Sequence, residues 1–177
     1  MADLDIERAR DGDVDAFVVL MERREARMAR VAGAILGNRS DADDAIQETL
    51  VSIWRELPRL RVITQFDAWA DRILVNACRL VLRRRSRRSV REVAPIDGFG
   101  GEARMPAHDE PIVARDAFAR AFESLDPDAR ALIVLRHLED WPVSQIAGVL
   151  RIPEGTVKSR LFSARRALEA ALEREAR

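Results

Sequence analysis

The chain has 177 residues, enough for one ordinary domain or two small ones, and 47% of them are hydrophobic. Thirty Lys and Arg balance thirty Asp and Glu, so net charge alone points to no nucleic-acid or membrane partner. A single cysteine, Cys78, excludes an intrachain disulfide, and His108 and His137 are too far apart, without a second thiol, to suggest zinc. The start, MADLDIERARDGD, is charged and has no apolar core of a signal peptide. No run approaches the ~18–20 apolar residues that span a bilayer. The expectation is a soluble, cytoplasmic chain without membrane insertion.

In chain order, the first half reads as helix throughout. Val14, Phe17, Val18, Met21, Met28, Val31, Ala32 and Ile35 make one apolar stripe ending near Gly37 and Asn38. Ser40 is predicted to cap a second helix, with Asp43 three residues on in a box-like arrangement. Ala42, Ala45, Ile46, Thr49, Leu50, Ile53 and Leu57 form its inner face, and Pro58 stops it. Its early acids lie opposite that face, where the helix dipole alone would favour them. Asp41, Asp43 and Asp44 do not converge on a metal, because successive helical positions splay around the axis. After the loop RLRVITQ a third helix begins around Thr64 to Asp67. Phe66, Trp69, Ala70, Ile73, Leu74, Ala77 and Val81 mark its inner side, and Cys78 reads as a buried small hydrophobe. From Arg79 to Arg91 there are seven arginines and no acid, a local block able to hold phosphate in a neutral chain. Lys158 is the only lysine and tyrosine is absent, a coding bias that would also make some arginines default surface residues.

Periodicity is lost from Ser89 to Pro111, where three Gly, three Pro and scattered charges indicate a linker. Its GFGG follows no strand and opens no helix, so it is a weak phosphate-loop signal. Helix resumes from Ile112 to Phe122, and LDPDARALIVLRHLEDW follows with Asp126 as N-cap and Pro127 at the first helical position. WPVSQIAGVLRIPEGTVKSRLFSARRAL then reads as a short helix, a tight turn and a second helix. Ile146, Ala147, Val149 and Leu150 are apolar in the first, and Pro153 suits the start of the next. Val157, Leu161, Ala164 and Leu168 point back to a core. Glu154, Thr156, Lys158, Ser159, Arg160, Ser163, Arg165 and Arg166 are left for solvent or a partner. Hydroxyls and cations on the second of two steeply crossed helices suit a DNA major groove, although a helical hairpin with a solvated face has the same pattern. The fold expected is all-α: two small helical domains, 1–88 and 112–177, joined by a flexible linker, 89–111, with the helix-turn-helix in the second.

IPEGTVKSRLFSARRAL resembles the promoter-reading helix of bacterial sigma factors of the extracytoplasmic-function (ECF) type, which enters the major groove of the minus-thirty-five element. The resemblance implies that role for the exposed residues from Glu154 to Arg166 named above. Arg151 departs from it, standing where the family more often has Gly or Asn; a positive φ there carries a steric cost. SDADDAIQETLVSIWREL resembles the segment that grips the clamp helices of the polymerase's largest subunit, which implies core-polymerase contacts by Asp41, Asp44, Gln47, Glu48 and Trp54. FDAWADRILVNACRLVLRRRSRR resembles the promoter-melting helix, with Leu80 where relatives commonly have Asp. The implied contacts to the melted element are Trp69, Asn76, Arg79, Arg83 and Arg84, with Arg61, Thr64 and Gln65 of the preceding loop. Capturing an extruded base offsets lost stacking by ~1–3 kcal/mol per base. Core packing explains Trp69 at least as well.

The resemblance runs over roughly residues 10–88 and 112–172, in the family's order. The extra domains of primary sigma factors have no room, which implies the small alternative class. The function expected is an alternative sigma factor that binds core RNA polymerase and promoter DNA, controlled by an anti-sigma factor. No cofactor, metal or catalysis is expected, because G-x-x-x-x-G-K-[ST], G-x-S-x-G, H-E-x-x-H and Cys/His clusters are all missing. A sigma-like mimic that sequesters an anti-sigma factor, or a helix-turn-helix operator-binding regulator, are the alternatives.

Overall fold

A computed structural model describes residues 2–91 and 112–175, and all regular structure among these residues is helical. The helices are α1 (Ala2–Arg10), α2 (Val14–Leu36), α3 (Arg39–Glu56), α4 (Phe66–Arg91), α5 (Ile112–Glu123), α6 (Pro127–Ile133), α7 (Val143–Leu150) and α8 (Glu154–Glu175). They fall into two compact units, Met1–Val81 and Leu82–Arg177. The all-α expectation is met. The stretch read as linker nevertheless begins as helix, since α4 continues through Ser89 to Arg91 with no breaker before Pro95. The rest of that stretch, with GFGG and His108, lies outside the described residues.

In the first unit, Asp13 starts α2 by accepting the Ala16 N–H at 3.0 Å. That bond, with the Arg8 guanidinium at 2.6 Å, holds the Asp13 carboxyl below its ordinary value. Gly37, at φ 76°, ends the helix in the left-handed conformation that glycine adopts without strain. The predicted cap of α3 is corrected: Asn38, not Ser40, is the N-cap. Its Oδ1 accepts the Asp41 N–H at 2.8 Å while its Nδ2 donates to the Asp41 carboxylate at 2.8 Å. Asn38 wins because Ser40 already lies inside the helix, where its hydroxyl cannot serve the first orphan N–H groups.

The expected stripe on α2 holds at Met21, Met28, Val31, Ala32 and Ile35 and departs at its start. Val14 and Val18 are exposed and Phe17 is half-buried, whereas Ala16, Leu20 and Arg24 are buried. Ile6 and Ala9 of α1 cover the inner side at this end, joining Ile53, Leu57, Phe66 and Ala70 in one apolar cluster. On α3 the expected face holds, with Ala42, Ala45, Thr49 and Ile53 buried, Ile46 and Leu50 half-buried, and Leu57 buried just past its end. On α4 the buried set is Phe66, Ala70, Asp71, Leu74, Val75, Cys78 and Leu82, so Trp69, Ile73, Ala77 and Val81 stand at its half-buried margin. Cys78 is buried as expected, and burial pushes its thiol up to about 12, which keeps it protonated and inert.

In the second unit, Asp126 caps α6 by accepting the N–H groups of Asp128 and Ala129, each at 2.9 Å, with Pro127 at the first helical position. Leu125, Ala129 and Ile133 pack with Ala164 of α8. After a π-helical turn, Val134–Leu138, and α7, the chain reverses at Arg151, whose φ of 54° and ψ of 48° are left-handed. The Arg151 N–H caps α7 on the Ala147 carbonyl, which the Ile152 N–H also reaches at 3.1 Å. Pro153 then offers its carbonyl to the Val157 N–H at 3.0 Å, the first bond of α8. A side chain at such a φ costs ~1–2 kcal/mol, of which glycine's greater unfolded-state freedom would return about half. Arg151→Gly is therefore expected to stabilise the chain by about 0.5–1 kcal/mol, read as a higher urea midpoint at unchanged slope. A lower midpoint would show that the side chain makes compensating contacts.

Candidate nucleic-acid and polymerase interfaces

On α3, burial of the apolar face leaves Asp44, Gln47, Glu48, Val51 and Trp54 exposed. Helical spacing puts Asp44, Gln47, Val51 and Trp54 on one side. Asp41 is half-buried and belongs to the Asn38 cap, so part of its hydrogen-bonding capacity serves the helix start. The Trp54 ring meets Phe17 of α2 edge-on, with centroids 4.9 Å apart, which fixes its outward pose. Val51 is 62% exposed and was not picked out from the sequence; its signal is an apolar residue off the buried stripe.

Ahead of α4, two 3-10 turns, Leu57–Arg59 and Ile63–Gln65, hold the loop. Leu60 and Ile63 pack against the core, and Arg61, Thr64 and Gln65 face solvent. Trp69 is half-buried, with its ring 5.9 Å from Phe66, so it both packs and keeps an accessible edge. Asn76 is exposed and accepts from Arg79 at 3.3 Å. Arg83 and Arg84 are exposed further along. Arg85 is half-buried, and the side chains of Arg87, Arg88 and Arg91, which complete the basic block, lie outside the described residues.

On α8, Val157, Leu161 and Ala164 are buried, and that burial turns Glu154, Lys158, Ser159, Arg160, Ser163, Arg165 and Arg166 outward. Thr156 is half-buried, its carbonyl accepting from the Ser159 hydroxyl at 3.1 Å. Arg160 lies 3.9 Å from the Asp128 carboxylate. Two residues passed over in the sequence belong to this face. Phe162 is 63% exposed and carries the Arg166 guanidinium 5.9 Å from its ring centre. His137 presents Nε2 to Arg165, at 3.3 Å from Nε and 3.2 Å from a terminal nitrogen. Phe162 could have been found as an aromatic outside the apolar spacing. His137 could not, because nothing local links it to a residue 28 positions away.

Residues 20–88 match the family model for sigma-70 region 2, and residues 115–168 match that for sigma-70 region 4. The ECF RNA polymerase sigma-E factor of Escherichia coli K12 is 31% identical over 173 residues, covering 93% of this chain and 90% of the relative. The chain belongs to the ECF sigma factors. Another member, the sigma factor SigM of Mycobacterium tuberculosis, is 32% identical over 154 residues, 87% of this chain and 76% of the relative. Among solved structures, CnrH in complex with the cytosolic domain of CnrY superposes with a TM-score of 0.67 at 26% identity, covering 98% of each chain. The sigma factor RpoE of Bartonella quintana, solved with the anti-sigma factor NepR, gives 0.68 at 24% identity over 90% of this chain and 98% of that one, a likeness of fold. Sigma factors are transcription-initiation factors rather than enzymes. Among the described residues of this ECF sigma factor, no helix is long and apolar enough to cross a membrane, and no His, Cys, Asp or Glu cluster could hold a metal.

Acid is expected to weaken the His137 contact on α8. Burial, then Arg165 and Arg136, lower the imidazole below 6.5, with Asp140 opposing. The neutral ring accepts from Arg165; the imidazolium cannot. Because the folded value is depressed, the stabilisation is present above about 6.5 and is lost as pH falls through the folded value. His137→Gln should therefore flatten the decline in urea midpoint between about pH 7 and about pH 5. Parallel curves for the two proteins would mean that His137 takes no part in it.

Proposed function

We propose that this ECF sigma factor docks on core RNA polymerase through the exposed side of α3, opens promoter DNA with α4, and reads an upstream element with α8. The observation that carries the reading is the outward face of α8, where Lys158, Ser159, Ser163, Arg165 and Arg166 surround the exposed Phe162 ring. Arginine forks suit guanine edges, hydroxyls serve several bases, and an aromatic ring packs on a thymine methyl. On α3, Asp44, Gln47 and Glu48 offer acceptors to basic groups on the clamp helices of the largest polymerase subunit, while Val51 and Trp54 add apolar area.

For strand opening, Arg61, Thr64 and Gln65 of the loop would frame an extruded base, and Trp69, Asn76 and Arg79 would line the helix side. Arg83 and Arg84 would bind phosphates, a salt-dependent term. The functional division proposed is 1–88 for docking and melting, with α4 running on to Arg91, a tether after it, and 112–177 for the upstream element. The work is binding and deformation of DNA, so this chain is no enzyme and uses no cofactor. It acts in the cytoplasm, under an anti-sigma factor. Support for that regulation is the pair of related complexes, CnrH with the cytosolic domain of CnrY and RpoE with NepR.

Two double variants separate the faces. Lys158→Ala with Arg165→Ala should weaken promoter binding by about 1–3 kcal/mol per lost base contact and lower its salt slope, with core-polymerase affinity unchanged. Asp44→Ala with Gln47→Ala should cost about 1–3 kcal/mol of core-polymerase affinity and leave unfolding unaltered. Titrations of fluorescent protein with core polymerase, and of holoenzyme with promoter fragments, read both. Loss of both affinities in either variant, or of neither, would contradict the division of labour.

A further inference from the structure

The inner side of α2 contains a charge. Arg24 is 8% exposed, in line with Leu20 and Met28 rather than with the solvated residues. Its guanidinium reaches α4, donating to the Asp67 carboxylate, to the Asp67 carbonyl at 3.4 Å, and to Asp71 Oδ1 at 2.5 Å. Arg27 donates to the other Asp71 oxygen at 3.0 Å. Asp71 itself is 4% exposed, and the Arg24 guanidinium lies 5.6 Å from the centre of the Phe66 ring. Two arginines of one helix thus hold the first two turns of another from both oxygens of one carboxylate. Trp69 lies between the two aspartates on that helix.

Stability gives little reason for such a cluster. Replacing a buried ion pair by apolar groups of similar volume is often tolerated or favourable, whereas removing one partner strands a charge. What the cluster adds is direction. Apolar burial fixes how much of α4 is covered but is non-directional, while a forked guanidinium fixes the carboxylate's position in its plane. The apolar face of α4 is short-sided here: Phe66, Ala70 and Leu74 pack inward, and Asp71 takes the adjoining position where a large apolar side chain would otherwise lock rotation.

We propose that Arg24 and Asp71 are positioning residues for promoter opening: they set the rotation of α4 and so the pose of Trp69 and Asn76 toward the displaced strand. The inference rests on the reading of α4 as the melting helix. Bases leave the stack only if the accepting surface is already in place, so a small rotation of α4 should slow opening while leaving docking on α3 untouched.

The test uses the full chain with core polymerase, on the promoter found by mapping the native chain's own run-off starts. Each template is made both as full duplex and as a heteroduplex already mismatched around the start. Arg24→Met with Asp71→Leu removes both buried charges, and the two groups that lose a partner, Arg27 and Asp67, reach solvent. The double variant should keep native helix content, cooperative unfolding and core-polymerase affinity. On duplex, opening followed by a fluorescent base analogue should slow about tenfold or more, and on the pre-opened template run-off should match the native chain. Equal losses on both templates, or normal opening on duplex, would overturn the proposal. Should the double variant not fold, Asp71→Asn, which keeps the shape and one acceptor, decides by the same comparison. Failure of the native chain to initiate at all would instead remove the reading of α4 on which the inference rests.

Discussion

On α3 and α8 an apolar stripe is buried, and that burial decides which side chains remain to meet a partner. Ala42, Ala45, Thr49 and Ile53 turn inward on α3, so Asp44, Gln47, Val51 and Trp54 must face out. Val157, Leu161 and Ala164 do the same on α8, and the cations and hydroxyls follow to the outside. Each fully buried Leu, Ile or Val contributes about 1.5–3 kcal/mol, several times what an exposed ion pair does. The orientation of both faces is therefore set by the core. Surface substitutions can change affinity there without moving the helix that carries them.

Directional features enter where apolar burial leaves a choice. The turn into α8 needs a left-handed residue, and Arg151 supplies it against a steric cost that burial of Ile146, Val149 and Val157 outweighs. The first turns of α4 rest on Arg24 and Asp71 instead of a continuous apolar seam. Burial raises the Asp71 carboxyl above its usual range, while Arg24 and Arg27 draw it back. A carboxylate caught between those two influences is held by geometry more than by net energy.

Much of this was legible from sequence because helical spacing is a local property. The buried side of α3, the Asp126–Pro127 start of α6 and the inner stripe of α8 all follow from residues within a few turns. All but one of the departures originate in contacts made at a distance. Val14 and Val18 fit the α2 period, yet Ile6 and Ala9 of α1 cover the other side and leave those valines exposed. Arg24 and Asp71 carry no local signal, because each one's partner stands 47 positions away. His137 was passed over for the same reason, and Ser40 because Asn38, two residues earlier, already served the helix start. The proposed interfaces come from family resemblance, and physical spacing alone left α8 open to reading as a solvated hairpin.

A zero net charge is consistent with this division of labour, since acids gather on the α3 side and arginines along α4 and α8. Opposite potentials on different helices suit one factor that must grip a basic protein surface and a polyanion at once. Bound to core polymerase, the chain makes it promoter-selective. The most direct measurement is run-off transcription with the purified chain, core polymerase from its own organism and fragmented genomic DNA, followed by mapping of RNA start sites. Discrete starts sharing a two-part upstream motif are expected. No starts above core polymerase alone, while a control sigma factor initiates in parallel, would contradict it.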